Sequence, residues 1–345
     1  MPVARIFHLS VVRDGLMNAL RQAGHAFTPA RFHSWFAGLT SLSTEAAVAA
    51  QPPRALCEAI LTDLGHSRSE GLAGSARALQ RALLAPRDGE VRAGHDAAAA
   101  VMMEAHAIVA ELSREPAPLP FALLSTLHQA FGRSPVFAPA RWDLVALTGP
   151  GGLIPFEQSG APSPRWAVEA VIGETLRVHG FMRSPLPWPN LIRLDATAPD
   201  IADENRRLTI ALGLREAVLA QQTRLDHARQ AAARIVRFTQ GQRTTSRAPR
   251  ALEWLAGFGP LRSAQLEAIL AATRLGVRGM LTALEAEGLI ARETIGGVHL
   301  VSITHSDGRA EPRQVLPASS GFSAGALEEF DASVAAIDRL LVRPG

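Results

Sequence analysis

Between residues 11 and 132 the apolar side chains recur every three to four positions, as in Leu16 and Leu20 or Leu79 and Leu83. That spacing lines one buried face of a helix. It runs through "VVRDGLMNALRQAG", "PARFHSWFAGL", "PRALCEAILTDLG", "SEGLAGSARALQRALLA", "DAAAAVMMEAHAIVAELS" and "PFALLSTLHQAFG". Strand-type alternation is nearly missing, so residues 1–132 are expected to form a helical N-terminal domain.

The pattern breaks at about 133. Residues 133–199 are rich in Pro and Gly, with short apolar islands between the prolines and one helical stretch, "AVEAVIGETLRVHG". An irregular connecting region packed on the helices is expected there. Residues 200–246 return to helical spacing, with no proline until Pro249 and a single glycine before 240. One long helix, or two nearly continuous ones, should result, with Leu208, Leu212, Leu219, Ile235 and Phe238 on its buried side.

Residues 247–305 read as helix, helix, helix, strand, turn, strand. "APRALEWLAGFG" buries Leu252 and Leu255. "SAQLEAILAA" follows, with Ser263 as its expected N-cap. Thr273 caps "RLGVRGMLTALEAEG", whose inner side is Val277, Met280, Leu281 and Leu284 and whose Gly288 stands where a C-terminal glycine belongs. Gly296-Gly297 joins "LIARETI" to "VHLVSIT", the two-residue turn that a hairpin prefers. This order is that of a winged helix-turn-helix with a small β-hairpin wing, so the predicted fold class is mainly α.

A polar linker over 306–322 leads to "SAGALEEFDASVAAIDRLLV". Residues 323–342 are expected to form an amphipathic helix with Leu327, Phe330, Val334, Ile337 and Leu341 in a narrow seam. About two heptads are too few for an independent coiled coil, so the seam must dock on its own chain or on a second copy.

Composition removes several chemistries. All 35 basic residues among the 345 are arginine, lysine and tyrosine are absent, and the net charge is +3. A Walker phosphate loop and Schiff-base chemistry both need a lysine, and both are excluded. The lone Cys57 cannot form an internal disulfide, and the N-terminus lacks a secretory-leader pattern, so a cytoplasmic location is expected. The most apolar run, 96–113, is interrupted by Glu104 and His106 and falls short of a membrane span.

Enzyme motifs are missing too. The chain holds no H-E-x-x-H, no G-x-S-x-G and no Cys/His pair at zinc spacing. His95 and His106 lie three turns apart on one predicted helix, too far to share a metal. "TGPGG" at 148–152 lacks the strand-to-helix setting of a phosphate loop, and His25, His33 and Trp35 suit packing. No cofactor, no metal and no catalytic residue are expected.

Arginine placement points instead to double-stranded DNA. Arg274 and Arg278 lie one turn apart near the start of the third helix, with Thr282 a turn further on. On a recognition helix these positions reach base edges, where the guanidinium fork matches guanine O6 and N7. Arg262 and Ser263 open the second helix and suit phosphate contacts, while Arg292, Gly296, Gly297 and His299 fall on the wing. Upstream, Arg224, Arg229, Arg234, Arg237, Arg243, Arg247 and Arg250 face a single acid, Asp226. Such a run either follows a phosphate backbone or is a solvated helix end whose cations suit the dipole.

The stretch 243–290 resembles the C-terminal helix-turn-helix of an uncharacterised family from rhizobial and related alphaproteobacterial plasmids and chromosomes. "SRAPRAL", "PLRSA" and "EAEGLI" carry the likeness. "ARFHSWFAGL" is similar to the N-terminal helical segment of those proteins, which is itself similar to the helical domain attached to Fic enzymes. The chain lacks the H-P-F-x-x-G-N-G-R loop of Fic catalysis, so nucleotidyl transfer is not implied. Ala271 stands where the family turn usually has glycine. The resemblance implies a DNA-binding domain appended to a helical body.

The resulting expectation is a DNA-binding protein, a transcriptional regulator of a plasmid or accessory locus, acting as a homodimer and not membrane-bound. The alternative is a protein-interaction module that uses the winged helix for partner contact.

Overall fold

Proline fixes φ and has no N–H to lose at the first turn of a helix, and four helices of this chain begin on one. The computed structural model describes residues 2–42, 51–86, 91–114, 119–137, 143–149, 152–158, 162–198, 201–239 and 247–304. Helices α1 (Pro2–Gln22), α2 (Pro29–Phe36), α3 (Pro53–Gly65) and α6 (Pro120–Arg133) have the proline start, and α4 (Glu70–Ala82) and α5 (Val91–Leu112) complete the N-terminal set. Thr28 caps α2 by accepting the Arg31 N–H at 3.2 Å.

Helix α1 is the central element. Leu9, Val11, Val12, Leu16 and Leu20 are all fully buried, more than one amphipathic stripe would supply, because α3, α4, α7 (Trp166–Val178), α8 (Asp203–Thr239) and α9 (Ala248–Gly257) all pack on it. The approach of α9 depends on Gly257, where an added Cβ would stand 2.6 Å from Leu9 Cβ and 2.7 Å from the Ile6 carbonyl oxygen.

The Pro-rich region is more regular than expected. Strands β1 (Asp143–Gly149) and β2 (Gly152–Gln158) form an antiparallel hairpin with Leu147 opposite Ile154 and Gly149 opposite Gly152. Pro155, within β2 opposite Ala146, and the prolines around the hairpin hid its pattern. Beyond α7, the segment "LPWPNLI" is held by Glu169, which is buried. Its carboxylate accepts from Asn18 Nδ2 (3.0 Å), Gln22 Nε2 (2.9 Å), Asn190 N (2.9 Å) and Ile192 N (3.0 Å). Burial pushes this carboxyl up, against the pull of Arg165 and of these donors.

A short 3-10 helix (Leu194–Thr197) leads into α8, a single helix of 37 residues. Its predicted inner side is corrected. Leu208, Leu212 and Leu219 are exposed, while Ile210, Gly213, Ala217, Ala228, Ala232 and Ile235 face inward. Small residues take most of the inner positions where α8 lies close to its neighbours, α1 along much of its length and Arg193 and Leu191 at Gly213. Arg224 also turns inward, pairing with Asp14 at 2.6 Å. Burial works against the Asp14 charge, but Arg13 and Arg224 hold the carboxyl below its ordinary value.

The last elements are α9, β3 (Leu261–Arg262), α10 (Ser263–Leu270), α11 (Arg274–Ala286), β4 (Ile290–Ile295) and β5 (Val298–Ile303). The strands form an antiparallel sheet of order β3-β5-β4, with Leu261 opposite Val301 and Ile295 opposite Val298. Gly296 and Gly297 both have positive φ (56° and 77°), the conformation of a type I′ turn.

These elements rest directly on the N-terminal helices, and residues 1–304 form one compact unit. Phe258 packs at a tilt 4.8 Å from Phe36 and edge-on 5.6 Å from His33, ring centre to ring centre. Arg5 pairs with Glu253. The linker 306–322 and the helix expected over 323–342 lie outside the described residues. Among those described, no helix is long and apolar enough to cross a membrane.

Candidate nucleic-acid interface

Helix α11 is built to show one side. Thr273 Oγ1 accepts the Gly276 N–H at 3.2 Å and starts the helix, while Val277, Leu281 and Leu284 are buried at the spacing of a single face. Met280, expected on the same side, is only half-buried, because it borders an open cleft of about 750 Å³ that also touches Phe238, Ala283 and Glu287. Behind it, Ala271 makes the turn from α10 in the left-handed conformation (φ 48°, ψ 48°). Alanine thus takes the backbone state that glycine would take more easily.

The outer side carries Arg274, Arg278 and Thr282, all exposed. At about 100° per residue they span roughly 80° of the helix surface. Neither Arg274 nor Arg278 is held in an ion pair among the described residues, whereas Arg292 on β4 reaches Glu285 at 3.1 Å. The Arg292 guanidinium also lies 3.5 Å from Thr282 Oγ1, and His299 shares a hydrogen bond of 2.9 Å with Thr294. The Arg292 side chain is thus tied to α11 and His299 to Thr294, whereas Arg274 and Arg278 have no side-chain partner among the described residues.

Sequence spacing did not single out Leu275. It is 80% exposed, at the start of α11 beside Arg274. Its signal is a phase error: about 200° separates it from Val277, so it cannot share the buried face.

The other predicted contacts divide. The cap of α10 falls one residue earlier than expected, at Arg262, whose backbone N–H donates to Gln265 Oε1 at 2.8 Å; Ser263 is the first helical residue. Arg262 and Ser263 are both half-buried. Gln265 turns its amide N–H groups to the Phe36 carbonyl (3.2 Å) and the Ala82 carbonyl (2.7 Å), so this end of α10 abuts α2 and α4.

Arg247 donates to the Leu270 and Ala271 carbonyls at 3.1 and 2.7 Å, closing the C-terminus of α10. Of the upstream arginines, Arg224 is turned to Asp14 and Arg229 pairs with Asp226 at 3.1 Å. Arg234, Arg237 and Arg250 are exposed, and Arg237 Nε reaches its own helix at the Ala233 carbonyl. Arg243 lies outside the described residues.

Three histidines are taken up by their surroundings. His33 is buried and held by desolvation, with Arg13 adding to it, at a pKa of about 3. His95 and His106 each pair separately across to α3, with Glu58 and with Asp63. Among the described residues no group of three His, Cys, Asp or Glu could hold a metal ion.

Compared with known proteins, the chain matches no family model and no curated sequence.

Proposed function

We propose that the protein binds double-stranded DNA in the cytoplasm as a winged helix-turn-helix regulator of a plasmid or accessory locus, a member of the alphaproteobacterial family it resembles. Helix α11 enters the major groove, β4 and β5 form the wing, and Arg234, Arg237 and Arg250 meet phosphates. The observation that carries this reading is the pair Arg274 and Arg278, exposed, one turn apart and without acidic partners among the described residues, on a helix whose opposite side is buried. Uncommitted guanidinium groups at the start of such a helix suit guanine edges, and the exposed Leu275 suits a thymine methyl.

Leu275 also favours a second reading, in which α11 contacts a protein partner through an apolar anchor flanked by arginines. Fluorescence anisotropy with random and selected duplexes at two salt concentrations separates them. DNA binding gives retention that weakens steeply with salt and a selected sequence bound at least about 1000-fold more tightly than random. The absence of salt-dependent retention on any duplex overturns the DNA reading.

A further inference from the structure

Helix α8 turns three leucines and a valine away from the protein. Leu208, Leu212, Val218 and Leu219 are 58, 43, 37 and 48% exposed. At about 100° per residue, Leu208, Leu212 and Leu219 fall within about 40° of one another, with Arg215 beside them. A helix that covers a core by itself turns such residues inward. Here Gly213, Ala217, Ala228 and Ala232 take the inward face together with Ile210 and Ile235, and Leu208, Leu212 and Leu219 form an exposed apolar strip, interrupted by Arg215, of the kind that marks an interaction site.

We propose that this strip is the interface between two copies of the chain, with their α8 helices packed antiparallel. Charge selects that arrangement. Setting Leu212 opposite Leu219 of the second copy fixes a register in which residue numbers facing each other sum to 431. Arg215 then faces Glu216 of the other chain, twice by symmetry. Glu204 and Arg207 come within about two residues, about 3 Å along the axis, of the other chain's Arg229 and Asp226. A parallel pairing sets Glu204, Arg207 and Arg215 each against its own copy.

The groups are available for this. Glu216 pairs with Arg193 at 3.0 Å but its side chain stays largely exposed, as do both members of the Arg229–Asp226 pair.

The register also sets a distance. The two-fold axis passes midway between Leu212 and Leu219, about 35 Å along α8 from its end at Thr239, so the two helix ends stand about 70 Å apart. That is about two turns of B-DNA, a multiple at which paired half-sites face the same way. Only this corollary rests on the DNA reading; the interface itself does not.

The test uses the full chain without DNA. Sedimentation equilibrium from 1 to 100 µM is expected to give a dimer, and the Leu212→Glu/Leu219→Glu double variant a monomer with at least 100-fold weaker association. Both side chains are exposed, so its circular dichroism should match the parent, and its melting temperature should fall only by the association it has lost.

Orientation is read by crosslinking, with Cys57 buried and out of reach. Leu212→Cys chains mixed with Leu219→Cys chains should form the mixed disulfide under mild oxidation, and neither variant alone should crosslink. A monomeric parent at 100 µM, a double variant that still dimerises, or crosslinking of Leu212→Cys with itself each overturns the proposal.

Discussion

Gln265 on α10 donates its side-chain amide to the Ala82 carbonyl at the end of α4, at 2.7 Å, in a site closed to solvent. The same amide group reaches Phe36, and its oxygen accepts the Arg262 N–H. One side chain therefore satisfies the end of α4, the end of α2 and the start of α10.

Gln265→Leu keeps the volume but takes the side-chain partner from the Ala82 carbonyl and the Arg262 N–H, while the Phe36 carbonyl keeps the Leu84 N–H. A loss of about 1–3 kcal/mol is expected, since buried polar groups left unpaired cost that much. Gln265→Glu should cost more, because it sets a carboxylate against two carbonyl oxygens. Urea denaturation of the two variants checks the order.

Ala271 holds a left-handed backbone with no side-chain compensation, and its side chain is exposed. Ala271→Gly should therefore stabilise by about 0.5–1 kcal/mol, the relief of the left-handed cost less the added freedom of the unfolded chain. Ala271→Val should destabilise by at least about 1 kcal/mol. Thermal melts of the pair decide it, and the opposite order would show that the turn is not left-handed.

Ala271 also shows why parts of the fold were legible in sequence. The turn at 271, the cap at Thr273 and the Gly296-Gly297 hairpin are local devices, fixed by a residue type and its neighbours, and periodicity located α11 and its buried face. Long-range choices were not legible. Nothing within α8 tells that its alanines rather than its leucines face inward, because the neighbours packed on α8 decide that. Arg247 and Arg278 look alike in sequence, yet one is taken up by the carbonyls of α10. Glu169 gave no signal, since its four donors come from residues 18, 22, 190 and 192.

Glu169→Ala removes the acceptor shared by those four groups. A loss of about 3 kcal/mol or more is expected, with the segment "LPWPNLI" opening first. Hydrogen exchange at Asn190 and Ile192 checks this: both amides should lose protection in the variant before those of α1 do.

His33 sets a pH limit. Burial holds its pKa at about 3 against an ordinary value of 6.5. A base with a depressed folded pKa gains its proton on unfolding, so its contribution is complete above pH 6.5 and is lost as pH falls toward 3. The expected slope in that window is about 1.4 kcal/mol per pH unit. His33→Phe should flatten the acid limb of a stability-against-pH curve while leaving the slope above pH 7 unchanged. An acid limb with the same slope in the variant would assign the loss to other groups.

Arg247 and Arg278 separate folding from binding. Arg247 donates to two carbonyls at the end of α10, so Arg247→Ala should cost about 1–2 kcal/mol of stability and shift the start of α11. Its effect on DNA should follow that shift and appear on selected and random duplexes alike. The exposed Arg278 side chain makes no hydrogen bond or ion pair among the described residues, so Arg278→Ala should leave the melting temperature unchanged. If α11 reads bases, that variant loses about 1–3 kcal/mol on the selected duplex and much less on random sequence. Equal losses on both duplexes would make Arg278 a phosphate contact, and a lowered melting temperature would return it to the fold.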